Sequence, residues 1–137
     1  QGALGDLARL RGDYAQAESL YHASLKTYEE LGDKRGVAVT QGALGDLARL
    51  RGDYAQAESL FHESLKTCEE LGDKRSAAVI LHNLALLRVQ QERLPEALEL
   101  LTRSRDLLRE IGLEKDAARL EETIREIQGR LSEAKVP

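Results

Sequence analysis

The sequence predicts an all-α fold, a solenoid of stacked antiparallel helix pairs with about three repeats and a C-terminal capping helix. Residues 1–40 recur as residues 41–80 with 34 identical positions, and a diverged third copy follows at 81–120. Within each copy, apolar residues recur at spacings of three and four, which is typical of amphipathic helices. Only two prolines and 4% aromatic residues are present, a composition that favours helix. Because one helix pair cannot bury its own apolar face, neighbouring pairs are expected to stack into a continuous core.

The first copy is predicted to hold a short helix, a turn at Arg11-Gly12-Asp13 and a second helix that runs to Leu31. Asp13 is placed to cap this second helix, with Gln16 three residues later as in a capping box. Gly32 is expected to end it in the left-handed conformation. The predicted buried face of this helix consists of Ala17, Leu20, Tyr21, Ser24, Leu25, Tyr28 and Leu31.

The next predicted helix is capped by Asp33 and runs to about Arg51, with Gly45 allowing close approach of its partner. Its predicted buried stripe is Val37, Thr40, Leu44, Leu47 and Ala48. The third copy keeps this plan, and Pro95 falls in the first turn of its second helix, where the missing amide donor costs little. A capping helix then continues to about residue 134, with a stripe of Ala117, Leu120, Ile124, Ile127 and Leu131. The chain is therefore predicted to be a single array over residues 1–137, with repeats 1–40, 41–80 and 81–120.

Composition excludes several classes of protein. A single cysteine, Cys68, cannot form an intramolecular disulfide, which favours a reducing, cytoplasmic compartment. The longest run without a charged residue, 76–87, is too short to span a bilayer. A net charge of −4 argues against a nucleic-acid-binding surface. His22 and His62 have no ligands at metal-site spacing. We therefore expect no membrane or nucleic-acid partner, no metal, no cofactor and no enzymatic activity.

The residues also carry a family resemblance. Ala-Leu-Gly-Asp-Leu-Ala at 3–8 and Gly-Asp-Tyr at 12–14, followed by Ala17, Tyr21 and Ser24-Leu25, resemble the tetratricopeptide repeat. The second copy repeats this pattern, and the third keeps Leu84, Ala85, Ala97 and Leu100 but not the Gly-Asp-Tyr. The resemblance implies a right-handed superhelix that binds a protein or peptide on its concave face, without catalysis.

The repeat length narrows this resemblance. The unit of 40 residues is longer than the family's usual length of about 34. This long form resembles the arrays of bacterial multidomain signalling ATPases and transcription regulators, and of kinesin light-chain-like adaptors. The near-identity of the first two copies indicates a recent duplication or deliberate construction.

The resemblance places the first helix of each pair on the concave face. The candidate peptide-binding residues on this face are Asp6, Arg9, Gly42, Asp46, Arg49, His82, Asn83 and Leu86. Asp and Arg side chains would hydrogen-bond to an extended peptide, beside a more apolar patch in the third copy. The alternative is that the Asp and Arg residues form solvated pairs three residues apart, each contributing a few tenths of a kcal/mol.

Two functions remain open from the sequence. The first is a protein-interaction scaffold within a larger regulatory protein. The second is an architectural segment, natural or designed, that forms a homo-oligomer through its open N-terminal end and binds no ligand. The absence of methionine, and of a counterpart to residues 33–39 ahead of Gln1, predicts that the chain is a segment of a longer protein. Fraying of residues 1–10, or self-association there, is expected.

Overall fold

Six helices account for most of the part of the chain that the structure describes. The structure is a computed structural model that describes the backbone of residues 3–135 and the side chains of residues 12–134. The helices are α1 (Ala3–Leu31), α2 (Lys34–Leu50), α3 (Tyr54–Leu71), α4 (Lys74–Gln90), α5 (Leu94–Glu110) and α6 (Glu114–Lys135). Each helix packs on the next, and α2 also contacts α4. The predicted all-α solenoid of helix pairs is confirmed.

Short turns define two complete helix pairs. The α2 and α3 helices are joined by residues 51–53, and α4 and α5 by residues 91–93. Such short connections make neighbouring helices antiparallel. The α6 helix closes the far end, and its predicted stripe of Ala117, Leu120, Ile124 and Ile127 is buried. None of the described helices combines the length and the apolar character needed to cross a membrane.

Local signals predicted most helix ends correctly. Asp33 accepts a hydrogen bond from the backbone N–H of Gly36 at 2.9 Å and so caps α2. Asp53 and Asp73 cap α3 and α4 in the same way. Gly32 has a φ of 69° and ends α1 in the left-handed conformation, as predicted. Pro95 lies in the first turn of α5, where a helix tolerates it.

The predicted turn at Arg11-Gly12-Asp13 is wrong, because α1 continues through these residues as one helix of 29 residues. The same tripeptide at 51–53 does form a turn, in which Gly52 has a φ of 84°. That turn is held by α2 lying along α3, where the Ser64 hydroxyl donates to the Ala38 carbonyl at 2.6 Å. In the first copy, a continuous helix instead satisfies the backbone groups of Gly12 and Asp13.

The predicted burial of the α1 face is also wrong for several residues. Leu20 is 62% exposed, Tyr21 37% and Leu31 73%, and Ser24 is exposed as well. Phe61, which matches Tyr21 in the second copy, is fully buried. The reason lies in the neighbours, since α3 packs on both α2 and α4 whereas α1 packs on α2 alone among the described helices.

Each of the two complete helix pairs contains the same internal hydrogen bond. The buried Ser64 hydroxyl donates to the Ala38 carbonyl at 2.6 Å, and the buried Ser104 hydroxyl donates to the Ala78 carbonyl at 2.7 Å. The two serine donors are 40 residues apart, and so are the two alanine acceptors. The repeat in the sequence is therefore also a repeat in the packing. The predicted close approach at Gly45 is also present, because a Cβ there would lie 2.8 Å from the Phe61 ring.

Candidate binding surface

Two grooves, related by the repeat, lie along α2, α4 and α6. The α2–α4 groove has a volume of about 370 Å³, and its floor includes Ser64 and Cys68 of α3. The α4–α6 groove has a volume of about 300 Å³, and its floor includes Ser104 and Leu108 of α5. Each floor residue of the second groove is 40 positions after its counterpart in the first. We call the two grooves together the binding face.

Two valines stand out on the binding face. Val39 on α2 is 51% exposed and Val79 on α4 is 52% exposed. They are 40 residues apart and therefore occupy the same position in successive pairs. Val39 lines the α2–α4 groove, and Val79 lines both grooves. Apolar side chains that are exposed at a repeated position beside a cavity are typical of a contact surface, whereas isolated exposed apolar residues are common on any protein.

Arg75 lies between the two grooves and lines both. Its counterpart Arg35 donates from Nε to the Asp73 carboxylate at 2.9 Å. The residue 40 positions after Asp73 is Leu113, which cannot accept this bond. Among the ion pairs of the side chains that the structure describes, none includes Arg75. Its exposed guanidinium is therefore available to an anionic group.

Asp46 and Arg49, two of the predicted site residues, bind each other. Arg49 donates from Nε to the Asp46 carboxylate at 2.9 Å, and from Nη1 to Oε1 of Gln90 at 2.8 Å. Only 13% of the Arg49 side chain is exposed, whereas Asp46 lines the α2–α4 groove. Arg49 thus joins α2 to α4. Arg49 is too buried for the solvated pair of the alternative interpretation, and it instead links the two helices, so a role of this pair in peptide binding stays a prediction.

His82 and Asn83 lie on different grooves although they are adjacent in the sequence. Asn83 lines the α2–α4 groove, and His82 lines the α4–α6 groove. Burial lowers the pKa of His82, the nearby positive charge of Arg49 lowers it further, and Asp46 opposes the shift. The imidazole is therefore neutral at pH 7 and can both donate and accept one hydrogen bond.

The remaining predicted site residues contribute less. Gly42 is buried against Ile80 and Ser64, so its role is to let α4 approach α2. Leu86 is half-buried and does not line either groove. Asp6 and Arg9 lie outside the residues whose side chains the structure describes.

Sequence reasoning missed Arg75, Val79 and Arg119 as groove residues. Shifting Val39 by one repeat length leads to Val79, and a second shift leads to Arg119, which lines the α4–α6 groove. The signal for Arg75 was a difference between copies, the replacement of an aspartate by Leu113 in the third copy. A search for the period alone does not reveal such a difference.

In the described part of the chain, no observation supports a metal site or a reactive thiol. No group of three or more His, Cys, Asp or Glu side chains there could hold a metal ion. His22 and His62 are exposed, as the sequence predicts. Cys68 is 1% exposed, and burial raises the pKa of its thiol, so the reactive thiolate is disfavoured.

Comparison with known proteins identifies the repeat. The family model described as the tetratricopeptide repeat matches residues 1–68 and again residues 37–110. No curated protein sequence matches the chain. Tetratricopeptide repeats form a non-catalytic fold that generally mediates protein–protein interaction. The matched residues cover most of the chain, and the six helices pack as successive pairs, so the chain belongs to the tetratricopeptide repeat family.

Proposed function

We propose that the protein is an interaction module that binds an extended peptide segment of a partner protein along the binding face. The observation that carries this proposal is the placement of Val39, Arg75 and Val79. Two exposed valines and a guanidinium that forms no ion pair with the described side chains line two adjoining grooves. This combination offers apolar contact and a positive charge shared by two grooves, beside Asp46 in one groove and Asp116 and Arg119 in the other.

The grooves favour a peptide with apolar side chains. Each cavity, at about 370 and 300 Å³, is large enough to take an aliphatic or aromatic side chain. Full burial of one such side chain contributes roughly 1.5–3 kcal/mol. Two anchors, one in each groove, would together contribute roughly 3–6 kcal/mol before the entropy cost of ordering the peptide.

Arg75, which lines both grooves, favours an acidic residue between the two anchors. Arg75 is shared by both grooves, and a guanidinium binds a carboxylate through two parallel hydrogen bonds. Asn83 and the neutral His82 can bind peptide backbone groups on either side of it. The proposed ligand is therefore an apolar–acidic–apolar segment in an extended conformation.

We also propose the kind of protein that contains this module. We place it in a larger cytoplasmic regulatory protein, as one array with repeats 1–40, 41–80 and 81–120 and a capping helix. The 40-residue unit supports membership of the long-repeat subclass found in bacterial signalling ATPases, transcription regulators and kinesin light-chain-like adaptors.

A peptide library displayed on phage, selected on the immobilised chain, tests the proposal. We expect enriched peptides to share two apolar positions around an Asp or Glu, and to bind in fluorescence anisotropy. Arg75→Glu should weaken binding at least ten-fold because it replaces attraction by repulsion. Val39→Asp and Val79→Asp should each do the same by placing a charge in an apolar contact.

Matched controls separate binding from folding. Arg125→Glu reverses an exposed charge away from the grooves, and Leu71→Asp adds a charge at an exposed apolar position away from them. Both controls should bind as the unaltered chain does, and circular dichroism should show helical content retained in every variant. Enriched peptides that bind the Val39, Arg75 and Val79 variants as tightly as the unaltered chain would refute the proposal.

A further inference from the structure

Arg88 of α4 is a buried arginine whose guanidinium is held by neighbouring helices. Only 10% of its side chain is exposed. It forms ion pairs with Glu58 of α3 and, at 3.7 Å, with Glu96 of α5, and it donates from Nη1 to Oε1 of Gln91 at 2.9 Å. A cation tolerates burial when acceptors surround it in this way. The Arg88 site therefore shows how this repeat binds a guanidinium.

A cavity lies at the equivalent position one repeat earlier. Ala48 is 40 positions before Arg88, is buried, and lines a cavity of about 270 Å³ between α1, α2 and α3. The three residues that bind Arg88 all have counterparts in the wall of this cavity, namely Glu18 for Glu58, Gln56 for Glu96 and Arg51 for Gln91. Because an alanine side chain ends at Cβ, the space taken by the Arg88 side chain in one repeat is a cavity in the other.

The size and the lining of this cavity suit an arginine side chain. Its volume far exceeds the roughly 10–15 Å³ that one water molecule needs. Leu44 and Leu47 are buried in its wall and can contact the aliphatic part of an arginine. The Glu18 carboxylate and the Gln56 side-chain carbonyl can accept hydrogen bonds from the guanidinium.

The two equivalent sites differ by one positive charge. The Arg88 site combines two carboxylates with two guanidinium groups, those of Glu58, Glu96, Arg88 and Arg93. The cavity is lined by the carboxylates of Glu18 and Asp53 but by one guanidinium, that of Arg51. Arg51 binds Glu18 from the turn between α2 and α3, and 48% of its side chain is exposed. One further guanidinium would give the cavity the charge balance of the Arg88 site.

We propose that this cavity binds the guanidinium of an arginine side chain presented by a partner protein. Arg51 and Asp53 are exposed, so the cavity opens at the surface, where an arginine of another chain can enter. None of its lining residues lines the grooves of the binding face. The arginine site is therefore a second contact point, and it does not depend on the peptide proposed for the binding face.

Two probes test the proposal by NMR. Ethylguanidinium chloride and the blocked tripeptide acetyl-Ala-Arg-Ala-amide, each at millimolar concentration, should shift the backbone amide signals of Ala48 and Asp53. The tripeptide should bind at least as tightly as ethylguanidinium. The corresponding lysine tripeptide should bind roughly ten-fold more weakly, because a compact ammonium does not reproduce the planar set of guanidinium donors. Shifts with ethylguanidinium but not with the arginine tripeptide would overturn a partner protein as the source.

A matched pair of variants tests the charge of the cavity. Asp53→Asn keeps the cap of α3, since asparagine caps a helix as well as aspartate does, but removes one negative charge from the cavity. The dissociation constant of the arginine tripeptide should rise several-fold. Asp33→Asn makes the same change at the cap of α2, which does not line the cavity, and should leave binding unchanged. Equal effects of the two substitutions would overturn the proposal.

Changes at residues 48 and 88 should alter the number of sites. Ala48→Arg, combined with Arg51→Gln and Gln56→Glu, reproduces the Arg88 site in the first pair and should abolish binding of both probes. Arg88→Ala should raise the number of bound ethylguanidinium ions from one to two. Circular dichroism checks the helical content of each variant, and the exposed Asp53→Asn change decides the matter if a buried substitution lowers it. Unchanged binding in the folded triple variant, or no shift at Ala48 and Asp53 in the unaltered chain, would overturn the proposal.

Discussion

Asp73 connects two neighbouring helix pairs through one carboxylate. It accepts a hydrogen bond from the backbone N–H of Ser76 at 3.1 Å, which caps α4, and another from Arg35 of α2 at 2.9 Å. Burial raises the pKa of Asp73, but the hydrogen bonds from Ser76 and Arg35 outweigh burial, so the net shift is downward. The charged form is therefore favoured by folding.

Replacing the Asp73 carboxylate should lower the free energy of unfolding more than replacing a residue that only caps a helix. Asp33→Ala removes only the cap of α2 and should lower the free energy of unfolding by about 1 kcal/mol. Asp73→Ala should lower it further, because Arg35 also loses its partner. Urea unfolding of both variants at pH 7 measures the difference, and equal losses would contradict a role for Asp73 between the pairs.

The pH dependence of stability gives a second measure of Asp73. Because its pKa is below the ordinary value of 3.8, its contribution is complete above pH 3.8 and is lost as the pH falls through the lower value in the folded chain. Unfolding titrations from pH 5 to pH 2 should therefore show a smaller loss of stability in Asp73→Ala than in the unaltered chain. The same titration of Asp33→Ala provides the control. If all three chains lose the same free energy, the carboxylate is not the source.

At the scale of the helix, glycine has two different roles in this chain. A Cβ at Gly45 would lie 2.8 Å from the Phe61 ring, so the glycine lets α2 and α3 approach closely. A Cβ at Gly129 of α6 would have no atom within 4 Å. The contrast allows one substitution to be tested in two environments.

Alanine should destabilise the chain at one glycine and stabilise it at the other. Gly45→Ala forces the Phe61 ring or the helix to move and should cost roughly 1–3 kcal/mol. Gly129→Ala should add roughly 0.5–1 kcal/mol, because alanine loses less backbone freedom in a helix. Thermal unfolding followed by circular dichroism measures both variants. A stabilising Gly45→Ala would show that α2 and α3 are further apart than described.

Helix ends could be predicted from sequence where the signal is local. Asp33 and Gly32 act within a few residues of their own positions, and both behave as predicted. Arg-Gly-Asp shows the limit of this reasoning, since the tripeptide forms a turn at 51–53 and lies within a helix at 11–13. The choice depends on whether a partner helix lies alongside, which a window of neighbouring residues does not contain.

At the scale of the whole molecule, the repeat predicts surfaces better than it predicts individual contacts. The period leads from Val39 to Val79, and both are exposed beside a groove. The predicted Asp46 and Arg49 lie near that face, but they bind each other, and Arg49 also binds Gln90. Arg75 could not be found from the period, because the feature that distinguishes it from Arg35 is Leu113, which stands where the earlier copy has Asp73, the partner of Arg35.

In a solenoid, the burial of a residue depends on the helices packed beside its own helix. The equivalent residues Phe61 and Tyr21 allow this dependence to be measured. Phe61 lies in α3, between α2 and α4, whereas Tyr21 lies in α1, which packs on α2 alone among the described helices. Phe61→Ala should lower the free energy of unfolding by about 3–5 kcal/mol, as expected for a buried aromatic residue. Tyr21→Ala should cost less than Phe61→Ala, because 37% of Tyr21 is already in water.

Urea unfolding followed by circular dichroism measures both costs at one protein concentration. Equal costs for Tyr21→Ala and Phe61→Ala would show that sequence, and not the neighbouring helices, determines how much each repeat contributes to stability.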